Sequence, residues 1–323
     1  MKRKGASRRA LAPIVIVHGG ASMSKFNIAG TEAAARRALD IMASGGSALD
    51  AVVEAVVVLE DDPSYNAGTG ASLKLDGRPY MDAAVMDSTG LFGAVAAMTD
   101  VRNPVLVARK VAGTPHRLLV GEGAVHFARE SGFRPHDCII DRTRKRLEEV
   151  RKQVEEGKVP AWAGDWGAYK GRRFNDHVSD SHDTVGAIAM DPKGLFASAA
   201  STGGTPYSLP GRVGDSPLIG CGHFVGPEGT VAATGIGERI MDHVLSYAVY
   251  DIMVKQGPAK AVSWGMKRLR KDEPLGIIAI GKGGRIGLGT NMEMASTLGH
   301  DDNTVSSPLL IEDLAKAKRT VGL

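Results

Sequence analysis

The chain has 323 residues, of which 43% are hydrophobic and 24% are charged, and this balance excludes a disordered, collagen-like or membrane-embedded protein. The formal net charge is +4, but five basic side chains and no acidic one lie within residues 1–9, so the rest of the chain is close to neutral. A face that binds nucleic acid needs a basic surplus spread over the fold, so we expect no nucleic-acid binding.

The cysteines and the apolar runs indicate the cellular context. The chain contains Cys138 and Cys221 but no CxxC pair, which favours a reducing cytoplasm over a disulfide-bonded, secreted protein. The apolar run at 11–17 is too short for a signal peptide and contains Pro13. No run approaches the roughly 18 apolar residues of a membrane-spanning helix. We therefore predict a cytoplasmic protein with no membrane contact.

The first half of the chain predicts strands and helices joined by glycine-rich turns. Ser47 and Asp50 have the spacing of a capping box, which predicts a helix that starts after Ser47. Gly45 and Gly46 are suited to ending the helix before it. The segment 61–70 reads DDPSYNAGTG and predicts a loop. The other predicted elements are a buried strand at 14–17, a helix at 31–44, strands between 71 and 98, and helices at 104–112 and 116–131.

The second half begins after a polar segment. Residues 142–158 predict a solvated helix or linker, and 155–183 predict a flexible linker that ends at Asp183. The segment 184–191 alternates as a strand, and the turn residues at 191–194 return the chain as a partner strand. Further on, the sequence predicts a Gly-Arg loop at 211–222, a strand near 230–234, helices at 236–256 and 258–270, and a hairpin at 275–290.

Thr184 lies where the polar segment meets a buried strand, and its position suggests a processing site. The sequence contains no P-loop, HExxH, GxSxG or complete GxGxxG motif, so nucleotide- or metal-dependent chemistry has little support. A threonine hydroxyl needs a base, and the α-amine of a chain that begins at this threonine would supply one, with an ordinary pKa of about 7.7 to 8.0. The alternative is an ordinary β-branched residue at the start of a strand.

A resemblance covers nearly the whole chain and rests on motifs that occur in register. They are HGGA at 18–21, SALDAV at 47–52, NAGTG at 66–70, MDAAVMD at 81–87, HDTVGAIA at 182–189, STGG at 201–204, GRVGDSPLIG at 211–220 and ATGIGE at 233–238. Together they resemble the plant-type asparaginase and isoaspartyl-peptidase family of N-terminal nucleophile hydrolases. The resemblance implies an amide hydrolase that acts on L-asparagine and β-aspartyl dipeptides.

The resemblance also implies catalytic roles for individual residues. Thr184 would cleave the chain after Asp183 and then serve as the nucleophile, with its freed amine as the base. Thr202 would hydrogen-bond the nucleophile's hydroxyl. Thr234 and the N–H of Gly235 would form an oxyanion hole. Asn66 would donate from its amide toward the substrate carbonyl, although Asn before Ala-Gly is also ordinary turn chemistry.

Arg212 and Asp215 suit the two ends of an α-amino acid. A guanidinium binds a carboxylate in a bidentate fork, and a nearby carboxylate attracts the ammonium. A local surface salt bridge between the two residues is the common alternative. By resemblance, these two residues bind the substrate's α-groups, and Gly235 and Gly237 complete the pocket.

The resemblance further implies the architecture. The expected fold is a single structural domain, a four-layer αββα sandwich of the α+β class. Self-cleavage would divide the domain into an α subunit at 1–183 and a β subunit at 184–323, and two such heterodimers would pair. No cofactor is required. A structural sodium ion is expected on the backbone carbonyls of Leu59, Glu60, Asp62, Tyr65, Ala67 and Thr69.

One departure keeps alternatives open. His182 and Asp183 precede the nucleophile, where most members of the family have Gly before it, and this pair instead resembles glycosylasparaginase. Asp before Thr also occurs in the threonine aspartases. A third alternative is an uncleaved, non-enzymatic protein whose basic arm at 1–9 binds nucleic acid. The sequence leaves open the preference among asparagine, isoaspartyl peptides and glyco-asparagine.

Overall fold

The computed structural model describes residues 11–21, 27–74, 76–156, 184–206, 208–300 and 303–308. No helix in these ranges combines the length and the apolar character needed to cross a membrane. Among the described residues, the strands are β1 Ile14–Ala21, β2 Met81–Asp87, β3 Phe92–Met98, β4 Leu118–Val120, β5 Val185–Met190, β6 Phe196–Thr202, β7 His223–Gly226, β8 Gly229–Gly235, β9 Leu275–Gly281, β10 Arg285–Thr290, β11 Met294–His300 and β12 Asn303–Pro308. The helices are α1 Ile28–Ala43, α2 Ala48–Asp61, α3 Pro104–Val111, α4 Gly121–Glu130, α5 Asp141–Glu155, α6 Gly237–Asp242, α7 Leu245–Gln256 and α8 Pro258–Gly265.

The strands form two sheets. The larger has eight strands in the order β12-β11-β1-β5-β6-β2-β3-β4, and the smaller has four in the order β10-β9-β8-β7. Strand β5 pairs antiparallel with β6, and Val185 lies opposite Ser201. Since one residue precedes Val185 and one follows Ser201 in this register, Thr184 and Thr202 meet at the same end of the hairpin. The predicted hairpin is confirmed.

Three apolar clusters hold the layers together. The first joins helices α1, α2 and α3 to one face of the large sheet, with Val15 and Val185 among its members. The second lies between the two sheets and includes Ile188 and Ile278. The third joins the outer face of the small sheet to α7 and α8 through residues such as Ile277. The predicted mixture of helices and sheets is confirmed.

The predicted helix boundaries around residue 45 are confirmed in detail. Ser47 Oγ accepts a hydrogen bond from the Asp50 N–H at 3.1 Å, and the Asp50 carboxylate accepts one from the Ser47 N–H at 3.2 Å. Before them, Gly45 N–H donates to Met42 O and Gly46 N–H donates to Ile41 O, which is the Schellman pattern of a helix end. These local signals orient α1 and α2 against the sheet.

Three of the helix predictions are wrong in part. The predicted helix at 258–270 ends early, because α8 stops at Gly265. The segment 116–131 begins with β4, a short parallel partner for β3, and only then becomes α4. The segment 236–256 divides into α6 and α7, because Val244 adopts a left-handed conformation with φ of 44°. The predicted solvated segment forms α5 as far as Glu155. The remainder of the predicted flexible linker, 157–183, lies outside the described residues.

Candidate active site

One pocket brings together most of the residues that the sequence singles out. Its lining includes Thr184 and Thr202 from the ends of the β5–β6 hairpin. Thr202 Oγ1 accepts a hydrogen bond of 2.9 Å from the Gly204 N–H, which orients the hydroxyl. Asp183, on the other side of the predicted cleavage site, lies outside the described residues. The other lining residues are Gly204, Thr205, Arg212, Gly214, Asp215, Gly235 and Gly237.

His18 supports Thr184 from the neighbouring strand β1. The imidazole is 1% exposed and makes a hydrogen bond to the backbone of Thr184. Burial lowers the pKa of His18 to about 4, and the hydrogen bond to Thr184 offsets this only in part. Gly186 lies opposite His18 in the β1–β5 register, and a Cβ there would overlap the ring. A neutral imidazole therefore contacts the backbone at Thr184 and helps to fix its position.

Arg212 pairs with Glu238 rather than with Asp215. Its Nε and Nη2 donate to the two carboxylate oxygens of Glu238, each at 2.9 Å. Gly237, the first residue of α6, permits this arrangement, because a Cβ there would lie 2.8 Å from both Arg212 Nη2 and Asp215 Oδ1. The guanidinium and the carboxylate thus both lie close to one glycine of the pocket.

Asp215 has an unsatisfied carboxylate oxygen. The residue is 4% exposed, and Oδ2 has no hydrogen-bond partner among the described residues. Burial raises the pKa of Asp215 to about 7, although Arg212 acts in the opposite direction. A buried acceptor of this kind costs free energy unless a ligand satisfies it. A cationic group in the pocket would both pair with Asp215 and restore its charged form.

Thr234 and Gly235 lie at the end of β8. Gly235 has φ of 149°, and a Cβ there would overlap the carbonyl oxygen of Pro274, so only glycine fits without displacing the backbone. Thr234 is 1% exposed, and its Oγ1 has no hydrogen-bond partner within the described ranges. A hydroxyl donor that is buried without a partner can serve a developing negative charge.

Asn66 supports the turn after Thr202. Its Nδ2 donates to Gly204 O at 3.0 Å, and its Oδ1 accepts from the Ser72 N–H at 2.7 Å. Its backbone carbonyl accepts from the Gly203 N–H at 2.8 Å. The prediction that Asn66 donates toward a substrate carbonyl therefore depends on the second hydrogen of the amide.

The expected sodium ligands begin in the last turn of α2, with Leu59 and Glu60, and continue in the loop after it; the helix dipole favours a cation at this end of a helix. Two of the six carbonyls already accept backbone hydrogen bonds: Glu60 O from the Thr69 N–H at 2.9 Å, and Asp62 O from the Tyr65 N–H at 3.1 Å. Each carbonyl oxygen keeps a second lone pair, so the loop fits a hard cation. Across the described residues, no group of three or more His, Cys, Asp or Glu side chains could hold a metal ion.

Three charged residues beside the pocket are absent from the sequence predictions: Lys74, Asp82 and Glu238. Lys74 and Asp82 are buried, and Asp82 lies opposite Thr202 in the β2–β6 register. Asp82 belongs to the MDAAVMD motif and Glu238 to ATGIGE, so the motifs were the available signal for these two. Lys74 follows the NAGTG loop, in the part of the chain where the sequence predicts short strands, and no motif includes it.

Comparison with known proteins agrees with this geometry. Residues 11–309 match the asparaginase family model. A plant-type L-asparaginase of Pyrococcus abyssi is 39% identical, over 78% of this chain and 82% of the relative. An isoaspartyl peptidase/L-asparaginase of Danio rerio is 39% identical, over 74% and 75%. An N(4)-(beta-N-acetylglucosaminyl)-L-asparaginase of Elizabethkingia miricola is 36% identical, over 76% and 72%. The resemblance drawn from the motifs is confirmed, and the chain belongs to the asparaginase family.

Proposed function

We propose that the chain is a self-processing amidohydrolase that acts as an L-asparaginase and β-aspartyl peptidase and releases L-aspartate. The observation that carries this proposal is the pocket, in which Thr184 and Thr202 share one lining with Arg212 and Asp215. A nucleophile and a zwitterion-binding pair in one small pocket suit a substrate that has α-groups at one end and an amide carbonyl at the other.

Self-cleavage would create the active nucleophile. The Thr184 hydroxyl attacks the carbonyl of Asp183, the peptide nitrogen leaves, and an ester joins the two residues until water hydrolyses it. The product is a free α-amine on Thr184, with an ordinary pKa of about 7.7 to 8.0, so that a large fraction is neutral near neutral pH. This amine then serves as the general base for the hydroxyl of the same residue.

Substrate hydrolysis would proceed through a second ester. The Thr184 hydroxyl attacks the side-chain carbonyl of the substrate, and Thr202 hydrogen-bonds that hydroxyl. The Thr234 hydroxyl and the Gly235 N–H stabilise the negative oxygen of the tetrahedral intermediate. Ammonia or an amine leaves with a proton from the Thr184 ammonium, and water then releases aspartate from the β-aspartyl ester.

The substrate's α-groups would bind at Arg212 and Asp215, which belong to the same pocket lining. Its α-ammonium pairs with Asp215, whose Oδ2 lacks a partner in the described residues. Its α-carboxylate binds Arg212, of which Nε and Nη2 are bonded to Glu238 and Nη1 is the remaining nitrogen. The pair with Glu238 fixes the plane of the guanidinium before the substrate arrives.

We propose further that the fold is a four-layer αββα sandwich, supported by the three apolar clusters between helices, sheets and helices. It is one structural domain, divided by cleavage into 1–183 and 184–323, and two such heterodimers pair. A sodium ion on the carbonyls of the 59–69 loop would have a structural role only. These points follow from the family resemblance.

Self-cleavage is tested by comparing wild type with Thr184→Ala by denaturing gel and intact mass, after incubation at neutral pH. We expect two fragments divided before Thr184 in wild type and an intact chain in the variant. Thr89→Ala, at an exposed turn, is the matched control and should cleave like wild type. A wild-type chain that stays intact and releases no ammonia from asparagine would refute the mechanism and favour a non-enzymatic relative.

Glycosylasparaginase is the second candidate, because Asp183 precedes Thr184 and because one relative carries the name N(4)-(beta-N-acetylglucosaminyl)-L-asparaginase. The two activities differ in the leaving group. Purified cleaved protein is given asparagine, a β-aspartyl dipeptide and glyco-asparagine in parallel, and kcat/KM is measured for each. A higher kcat/KM for glyco-asparagine, with release of the aminosugar, would reverse the order of the two candidates. Cleavage of a protein substrate after aspartate, without hydrolysis of these small molecules, would favour a threonine aspartase.

A further inference from the structure

Lys74 is a lysine with no exposed surface, and its ammonium bonds to the wall of the pocket. The side chain is 0% exposed. Its Nζ donates to Gly203 O at 2.7 Å and to Thr205 O at 2.9 Å. These two carbonyls flank Gly204, which lines the pocket. Lys74 therefore holds this turn through two hydrogen bonds, although it is not itself one of the residues that line the pocket.

The turn at 203–205, which Lys74 holds, also orients Thr202. The Gly204 N–H donates to Thr202 Oγ1 at 2.9 Å, so the position of Gly204 sets the direction of that hydroxyl. A Cβ on Gly204 would lie 2.8 Å from Lys74 Nζ, which shows how closely the ammonium approaches this residue. Displacing the turn would move the Thr202 hydroxyl, which belongs to the same pocket lining as Thr184.

Asp82 makes a corresponding contact with the loop that carries Arg212 and Asp215. It is 1% exposed, and its Oδ2 accepts a hydrogen bond of 3.1 Å from the Gly214 N–H. Gly214 lies between Arg212 and Asp215 in the chain. The other oxygen, Oδ1, accepts from the Ala97 N–H at 2.8 Å and so anchors the carboxylate to β3. The loop that carries the two substrate-binding side chains is thus tied to the large sheet.

When they are ionised, Lys74 and Asp82 carry opposite charges and attract each other. Burial lowers the pKa of Lys74 to about 7, and Arg212 acts in the same direction, whereas Asp82, Glu238 and Asp76 act against it. Burial raises the pKa of Asp82, and Lys74 and Arg212 oppose that rise. Burying two charged groups is costly unless hydrogen bonds and an opposite charge offset the loss of water. Here the offsetting hydrogen bonds all go to backbone near the pocket or in β3.

We propose that Lys74 and Asp82 are positioning residues for the pocket, Lys74 for the nucleophile wall and Asp82 for the substrate-binding loop. This inference rests on the proposed amidohydrolase function. It assigns different kinetic consequences to the two residues. Misplacing Thr202 weakens the chemical step, whereas misplacing Arg212 and Asp215 weakens substrate binding.

The nucleophile side is tested with Lys74→Met and Lys74→Gln, using kcat and KM for asparagine per mole of cleaved chain. Lys74→Met matches the lysine side chain as far as Cε but has no donor, so kcat should fall on the order of 10- to 100-fold while KM stays within about threefold. Lys74→Gln keeps two N–H donors and should recover part of the kcat. The exposed Lys110→Met, in α3, is the matched control and should behave like wild type.

The substrate side is tested with Asp82→Asn. The new side chain has one acceptor oxygen, which can accept a hydrogen bond from the Ala97 N–H or from the Gly214 N–H. Its NH₂ group then faces the other backbone N–H, so one of the two hydrogen bonds is lost. We expect KM to rise about tenfold while kcat stays within about threefold. Thermal melts of all variants establish that the proteins compared are folded. If Lys74→Met does not fold, Lys74→Gln decides alone: a lower kcat at unchanged KM supports the role.

Two results would overturn the inference. One is a wild-type kcat for Lys74→Met, which would show that the lysine only fills space in the core. The other is an equal loss of kcat and an equal rise of KM in the Lys74 and Asp82 variants, which would indicate general loosening of the fold. Absence of activity in cleaved wild-type protein is a different result, because it refutes the proposed function itself.

Discussion

Replacing Asp215 by Asn tests whether a buried carboxyl group with a pKa near 7 controls substrate binding. Burial raises the pKa of Asp215 to about 7. The proposed mechanism needs this group ionised and the Thr184 amine neutral, and that amine has an ordinary pKa of about 7.8. With two such groups, kcat/KM should fall about 90-fold between pH 6 and pH 5. With the amine alone, it should fall about tenfold.

The assay measures aspartate formed from asparagine by cleaved wild type and cleaved Asp215→Asn, from pH 5 to pH 8.5. The variant loses its charged contact with the substrate ammonium, so its kcat/KM should be lower at every pH. The informative quantity is the limiting slope of log(kcat/KM) against pH, which should be two for wild type and one for the variant. Samples held at pH 5 and returned to pH 7.5 must recover full activity, which excludes irreversible unfolding.

A wild-type slope of one, equal to that of Asp215→Asn, would refute the reasoning. It would mean that Asp215 stays ionised down to pH 5, so that Arg212 outweighs the effect of burial on its pKa. A slope of two in both proteins would place the second ionisation on another group.

Three further predictions concern stability and backbone fit. His223 is fully buried, and burial lowers its pKa from 6.5 to about 4. As the pH falls between these values, the unfolded chain takes up a proton before the folded chain does, so this group lowers the free energy of unfolding by about 3 kcal/mol. Urea unfolding of His223→Leu should show a pH dependence that lacks this contribution. Ser47→Ala removes the capping box of α2 and should cost about 1 kcal/mol, whereas an unchanged midpoint would show that packing alone starts the helix. Gly235→Ala places a Cβ against Pro274 O, so kcat/KM should fall on the order of 100-fold, and wild-type kinetics would contradict the fit.

Local signals were the most predictable part of the fold. The capping box at Ser47 and the glycines at 45 and 46 act within a few residues, so the sequence alone determines where α1 ends and α2 begins. The β5–β6 hairpin was equally clear, because alternation and the turn at 191–194 coincide. Strand β4 has only three residues and forms because β3 offers an edge, which no local pattern reveals. The break at Val244 is likewise a tertiary feature.

The candidate site was predictable to the extent that its residues belong to motifs. Thr184, Thr202, Arg212 and Asp215 were expected together from the family resemblance, and the structure lines one pocket with them. Lys74 was not predictable, because lysine is ordinarily exposed. Its burial depends on two carbonyls that come from residues about 130 positions away in the chain. Such partners become visible only when the fold is known.

The order of strands in the large sheet has a consequence for the product of self-cleavage. Strands β1, β2, β3 and β4 precede Thr184, whereas β5, β6, β11 and β12 follow it, and in the sheet β1 is held between β11 and β5. A cut before Thr184 would leave two polypeptides whose strands interleave in one hydrogen-bonded ladder. They would migrate as a single species under native conditions and separate only on denaturation. Neither polypeptide contains all the strands of the large sheet, so the halves expressed apart should fail to fold until they are mixed.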